Sequence, residues 1–399
     1  MKFAHITDVH LGAFGEKELR DAALETFSSA VNTCINRKVD FILISGDLFH
    51  NPVTDMRTAK EAAGILRKVT KAGIKVFMVY GSHDYSTQAS SMIDILEKAE
   101  LLTKVQKFKG RKLAPLVDKD LKVSIYGIDG RKNGLDQEIW KSIEGVEEPE
   151  NGTVAIMMMH AAVRELLPAD ILGIEALSLS ELPKGMNYYA LGHVHYPATA
   201  NINGAPVVQP GALFGSDYRD LENTAKGVRR GFYIVDDKME PEFVEVSVSP
   251  VILKRVKMDG KQASSGYDEA MKAVEGVGRG SIVLMHFEGK LSGGKSSELQ
   301  LYRIRREIIE KGARAVITNE SKLEYPEAAS AKFSGTVEEI ERKAFEKSIA
   351  EAKVKALDVD RAIELMNALS PQKEEGERDR DYEDRIVSRA LHILGVDEE

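Results

Sequence analysis

Apolar runs in the first two hundred residues stop, one after another, on aspartate or histidine. Asp8 and His10 close the first, in D-x-H. Asp47 follows the second, in GDLFH, and His83 and Asp84 follow the third, in GSHD. His160 closes a fourth, and His193 and His195 follow a fifth, in GHVH. The runs Phe41–Ser45, 75–80 and 154–159 are short and continuously apolar, as expected of strands buried on both faces. Amphipathic helical stretches lie at residues 18–37 and 54–72. Strand and helix in alternation predict an α/β sheet. In such a sheet, polar groups just beyond the carboxyl ends of several strands converge on one place. The chain is therefore predicted to assemble one site from residues scattered over almost two hundred positions.

Those residue types point to metal chemistry. Residues i and i+2 of a strand share a face, so Asp8 with His10, and His193 with His195, can each grip one ion. The two oxygens of Asp47 suit a bridge between two ions. Imidazole and carboxylate donors fit manganese, iron or zinc, and the single cysteine, Cys34, excludes a cysteine-rich zinc site. Two such ions make a nucleophile of water and clamp a phosphate oxygen, as phosphoester hydrolysis requires. His83 is expected to donate a proton to the leaving oxygen, with Asp84 beside it to orient and charge the ring. Taken singly, each signal has a plainer reading. Asp47 or Asp84 could cap a following helix, and His160 could be a core histidine. Their common position at one end of one sheet favours the two-metal site. His5 reads as structural, and His50 as a contact to substrate phosphate. His286 and His392 read as ordinary, and Arg131, Arg229 and Arg230 as solvated surface arginines.

The chain is 399 residues long, enough for two or three domains. Residues 1–250 form the α/β region. Its later stretches, 206–209, 231–235 and 243–248, are expected to be antiparallel strands, and 211–227 a loop near the site. Residues 251–334 read as a small α+β unit with strands at 281–287 and 313–318 and a helix at 297–311. Residues 335–399 read as helical, with segments at 337–355, 358–369 and 386–394 around a charged stretch at 372–384. Ile386, Ala390, Leu391 and Leu394 give the last helix one apolar face. The net charge is −8. Residues 335–399 hold 11 Lys+Arg and 18 Asp+Glu, a net of −7, whereas 251–334 hold 15 against 11, a net of +4. The middle unit is thus mildly basic, which permits phosphate contacts. No apolar run approaches the ~20 residues needed to span a bilayer, so a cytoplasmic protein with no membrane partner is expected.

The segments MKFAHITDVHLG, SGDLFH, GSHD, the isolated His160 and ALGHVH resemble the calcineurin-like metallophosphoesterases. Within them the chain looks most like the Mre-eleven family of DNA double-strand-break repair nucleases, with its bacterial relative SbcD. The resemblance implies a two-sheet α/β sandwich with a capping, DNA-binding domain and a helical tail. It implies two manganese ions per chain. Asp8, His10, Asp47 and His195 would hold one and Asp47, His160 and His193 the other, with Asp47 bridging. It makes His83 the catalytic histidine and His50 a substrate contact. The family's motif is G-N-H-D, whose asparagine is a ligand of the second ion. Ser82 occupies that position here, and a serine hydroxyl is a shorter and poorer ligand. The family further implies 3′-to-5′ exonuclease action on DNA ends and endonuclease action on single strands; the cytoplasmic location expected is accordingly a nucleoid-associated one. It implies a homodimer formed through the helices at 54–72 and 90–101, and a tail that docks on the coiled-coil base of a Rad-fifty-type ATPase. The alternatives are a phosphodiesterase acting on a small or cyclic nucleotide, and a DNA-end-binding scaffold whose site is attenuated at Ser82.

Overall fold

The computed structural model describes residues 1–86, 90–131, 140, 142–169, 171, 173–325, 341–343, 345–346, 349, 358–371, 373 and 379–395. They fall in two compact units, Met1–Tyr325 and Pro326–Glu399. The first opens with β1 (Phe3–Ile6), α1 (Lys17–Asn36), β2 (Phe41–Ser45), α2 (Met56–Lys71), β3 (Lys75–Val79), α3 (Met92–Lys98) and β4 (Thr103–Lys104). Then come β5 (Phe108–Lys109), β6 (Lys112–Leu113), β7 (Leu116–Asp118), β8 (Val123–Ile128), β9 (Gly145–Val146), β10 (Val154–His160) and β11 (Tyr188–Gly192). β12 (Ala198–Ile202), β13 (Ala205–Gln209), α4 (Tyr218–Ala225), β14 (Gly231–Val235) and β15 (Pro241–Glu245) complete this region.

Two six-stranded sheets carry it, in the orders β15-β14-β1-β2-β3-β4 and β12-β13-β11-β10-β8-β7. β1 to β4 are parallel, as are β8, β10, β11 and β13. The apolar runs are continuous because each strand buries both faces. In β2, Phe41 and Leu43 join Phe3, Phe77, Ile125, Ile156, Met158 and Tyr188 between the sheets. Ile42 and Ile44 point the other way, against Phe27 and Val31 of α1 and Leu66 of α2. Phe3 stacks on Phe41 with ring centroids 4.9 Å apart. Each such side chain, buried completely, contributes about 1.5–3 kcal/mol. That core fixes the position of the strand ends where the polar residues stand.

Residues 211–227 are not all loop. Tyr218–Ala225 is the helix α4, capped by the Asp217 carboxylate, which accepts the Asp220 N–H at 2.9 Å. Eight polar-rich residues are too few for a helical period to be read with certainty. β13 is antiparallel to β12, as expected, but parallel to β11. The strands β8 and β12 were not anticipated. Beyond β15 the unit continues with β16 (Val251–Lys257), α5 (Gly266–Ala273), β17 (Ile282–Lys290), α6 (Leu301–Glu310) and β18 (Ala315–Glu324). β16, β17 and β18 form a parallel sheet around its own apolar cluster, including Phe287, Leu299, Ile304 and Ile308.

In the second unit α7 (Val359–Leu369) begins on Asp358, whose carboxylate accepts the Arg361 N–H at 2.8 Å. α8 (Asp379–Leu394) packs against it and starts within the charged stretch, earlier than the 386 expected. Most of the helix expected at 337–355 lies outside the described residues. Among the described residues no helix is long and apolar enough to cross a membrane.

Candidate metal centre

The strand ends deliver the polar residues to one place. Asp8 and His10 follow β1, Asp47 follows β2, Ser82 and His83 follow β3, His160 ends β10, and His193 and His195 follow β11. Asp8, His10, Asp47 and His160 are buried. To aim these side chains inward the backbone takes uncommon conformations. φ is +49° at Asp8, +48° at His10, +52° at Asp47 and +98° at His193. Left-handed backbone at a non-glycine residue costs on the order of 1–2 kcal/mol. Aspartate tolerates it better than most, and its concentration at one site marks a functional constraint. Two glycines give the side chains room. A Cβ on Gly81 would collide with the Asp47 carboxylate, and one on Gly192 with the Ser45 carbonyl and the Thr7 hydroxyl.

Asp47 stands between two groups of histidines. Its Oδ2 is 3.2 Å from His160 Nε2 and 3.6 Å from His10 Nε2. On the His10 side, His10 Nε2 lies 3.1 Å from His195 Nε2, and Asp8 Oδ1 lies 3.8 Å and 3.7 Å from the same two atoms. Two nitrogens bound at ~2.1 Å to one ion at right angles would themselves be about 3.0 Å apart, so the spacing fits a shared cation. His160 donates its Nδ1–H to the Ser45 carbonyl at 2.8 Å. Its Nε2 is buried and makes no aligned hydrogen bond. A neutral Nε2 would turn a lone pair toward the Asp47 oxygen, which is repulsive unless a proton or a cation lies between them. His195 donates Nδ1–H to Asp220 Oδ2 at 2.7 Å, so its Nε2 lone pair likewise faces the cluster. The backbone N–H of His193 donates to Asp8 Oδ2 at 3.0 Å, and its ring packs edge-on against His160 at 5.1 Å.

Three sets of donor atoms lie within reach of a single ion: Asp8, His10 and His195; Asp8, Asp47 and His160; and His10, His50 and His83. The buried carboxylate–imidazole donors fit a divalent cation, and the orphaned His160 Nε2 is the atom that calls for one. His83 takes a separate place. Its N–H donates to Asp47 Oδ1 at 2.7 Å, and its Nδ1–H to the His50 carbonyl at 2.8 Å. The His50 ring stacks on it at 4.7 Å. Asp84, expected to orient the His83 ring, has its carboxylate engaged elsewhere. Its buried carboxylate accepts the N–H groups of Leu48, Phe49 and Gly81 at 3.0–3.2 Å and so ties the loop after β2 to the turn after β3. The His83 ring is held by the His50 carbonyl instead. Ser82 is half-buried in that turn, between Gly81 and His83.

Asp220 was not anticipated, because a lone acidic residue in a charged stretch carries no distinctive signal. Besides His195 it accepts the Ser216 N–H at 2.8 Å. Arg230, read as a surface arginine, is in fact buried. It donates to the His195 carbonyl at 2.6 Å and the Asp220 carbonyl at 2.7 Å. His5 is structural as expected, hydrogen-bonded to Tyr188 and Ser45, and burial lowers its pKa to about 3. Arg131 lies over the Tyr85 ring at 4.5 Å.

The charges are coupled. Burial disfavours the His160 cation, but the neighbouring Asp47 carboxylate outweighs that and raises its pKa to about 10. Burial alone would raise the Asp47 carboxyl, yet His160 and His10 hold it far below the usual carboxylate range. Burial and the Asp47 charge push Asp84 up to about 7. Burial lowers His195 while its bond to Asp220 raises it, and the net shift is upward.

The calcineurin-like phosphoesterase family model matches residues 1–197. The DNA double-strand break repair protein Mre11 of Archaeoglobus fulgidus is 28% identical over 265 residues, 62% of this chain and 59% of that protein. The protein of the same name from Aeropyrum pernix is 28% identical over 276 residues, 64% of this chain and 61% of its own length. That of Sulfurisphaera tokodaii is 30% identical over 237 residues, 56% and 57% respectively. The chain thus matches about three-fifths of the length of these relatives.

Without an ion, a raised His160 stabilises the fold fully below its unfolded value of 6.5, and that contribution is lost as pH rises through about 10. Near neutral pH a cation must therefore displace the His160 proton. Calorimetric titration with manganese in buffers of differing ionisation enthalpy should show release of about one proton or more per chain, with affinity rising from pH 6 to 9. Heats independent of buffer would contradict this arrangement.

Proposed function

Residues 1–197 belong to the calcineurin-like phosphoesterase family, and from that premise we propose that the chain is a manganese-dependent DNA nuclease. It acts as a 3′-to-5′ exonuclease on double-stranded ends and an endonuclease on single strands. It works as a homodimer with a coiled-coil ATPase of the Rad-fifty type in processing broken DNA. One observation carries the reading. The Asp47 carboxylate lies within 3.6 Å of histidines from two groups, His10 and His160, as a ligand shared by two ions would. The name of these relatives, DNA double-strand break repair protein, supports DNA as the substrate. The net charge of +4 over residues 251–334 suits a capping domain that touches phosphate. The helices of residues 335–399 are the segment for the ATPase.

Asp8, His10, Asp47 and His195 would hold one ion. Asp47, His160 and His193 would hold the other, with Ser82 at its edge. When bound, the ions supply water activation and stabilise charge on the scissile phosphate. The chain supplies the rest. Asp220 fixes the His195 tautomer and ring, as carboxylates behind metal-binding histidines do. His83 gives Nδ1–H to the His50 carbonyl, so Nε2 of its protonated form is the atom that donates to the leaving oxygen. The stacked His50 ring contacts the phosphate. Asp84 builds the turn that carries His83.

Replacing His83 by alanine should cut digestion of linear DNA in manganese by about 10²–10⁴-fold, the usual worth of a general acid. Manganese affinity should stay within about threefold. Equal digestion by the two proteins would remove His83 from the mechanism. Ser82→Asn should raise affinity for the weaker-bound ion by roughly tenfold, since an amide oxygen reaches further and donates better. A manganese titration indistinguishable from wild type would count against a ligand at this position.

A further inference from the structure

The helix α4 touches two things at once. Asp220 faces the metal centre, where its carboxylate accepts His195 Nδ1–H at 2.7 Å. Tyr218 and Glu222, four residues apart, share a different face. That face meets β17 of the 251–324 sheet at His286. The Tyr218 and His286 rings stack with centroids 5.4 Å apart and planes 25° from parallel. Glu222 lies 3.8 Å from His286 Nε2. α4 also packs along β16.

Two further observations single out His286. Both its ring nitrogens are buried with no hydrogen-bond partner. Leaving buried polar atoms unpaired is costly, and a native protein that does so calls for a reason. The ladder between β17 and β18 is also irregular there, slipping register between His286 and Glu288. Such bulges re-aim a side chain and are common beside functional sites. The opposite face of α4 is bolted down by Arg230, which bonds the Asp220 and His195 carbonyls and the Thr224 hydroxyl at 2.6–2.8 Å. A shift of Tyr218 would therefore be carried to His195 with little slack.

We propose that His286 is a positioning residue for the metal centre, acting through Tyr218 and α4 to hold Asp220 against His195. It links the 251–324 sheet to a metal ligand without touching ion or substrate. The inference rests on the reading of His195 as a ligand.

Manganese titration calorimetry on the full chain tests it, with melting temperature recorded for every variant. His286→Ala removes the ring from the stack, while His286→Phe keeps the ring and removes its nitrogens. Loss of a carboxylate partner behind a metal-bound histidine weakens affinity about 10–100-fold. His286→Ala should give a drop at the lower end of that range, about tenfold. His286→Phe should restore affinity to within about twofold of wild type, since the stack is the link. In an Asp220→Asn background His286→Ala should add nothing, because the route is already cut. Unchanged affinity in His286→Ala, or additive losses in the double variant, would overturn the proposal. A wild-type chain that bound no manganese would overturn the metal reading itself, and the relay with it. That outcome is distinguishable because it appears before any variant is made.

Discussion

The contact on which the rest depends is the one between a buried aspartate and two sets of imidazole nitrogens. Asp47 Oδ2 sits 3.2 Å from His160 Nε2 and 3.6 Å from His10 Nε2. With Nδ1–H of His160 committed to Ser45, that short approach needs positive charge between the atoms. A proton meets the need in part, which is why burial fails to hold the His160 pKa down. A divalent cation meets it more fully. The surrounding structure can be understood as what is required to keep these groups close, dry and aimed at one another.

That requirement explains features that would otherwise be expensive. Four of the site residues have left-handed backbone, and Gly81 and Gly192 leave no space for a side chain. Each device costs stability locally, and the two-sheet core offsets the sum. Asp84 serves the same end from below, spending its carboxylate on three backbone N–H groups so that two loops hold one shape. Arg230 and Asp220 do so from the side of His195. The reactive histidines are then left with defined tautomers.

The strands and the convergence of the polar residues were legible because period and punctuation agree, although those residues come from the strand ends of two sheets, β1 to β3 in one and β10 and β11 in the other, and not from the one sheet expected. Short β-branched runs such as Phe41–Ser45 fit doubly buried strands, and a polar residue following one is thrown to its sheet's carboxyl edge. What could not be read depended on contacts distant in sequence. Asp220 acts on a histidine 25 positions away, and nothing in its neighbours marks it. Arg230 looked solvated, yet it is buried because α4 folds over it. The orienting partner of His83 is a backbone carbonyl, which no sequence displays. A helix of eight polar-rich residues such as α4 is too short to announce itself in the sequence.

The central claim is that Asp47 is shared by two ions. Crystals of the full chain grown in manganese, measured at the metal's absorption edge, test it most directly. The account predicts two anomalous peaks flanking the Asp47 carboxylate, one among Asp8, His10 and His195, the other beside His160 and His193. A single peak, or two peaks of which neither touches Asp47, would contradict it.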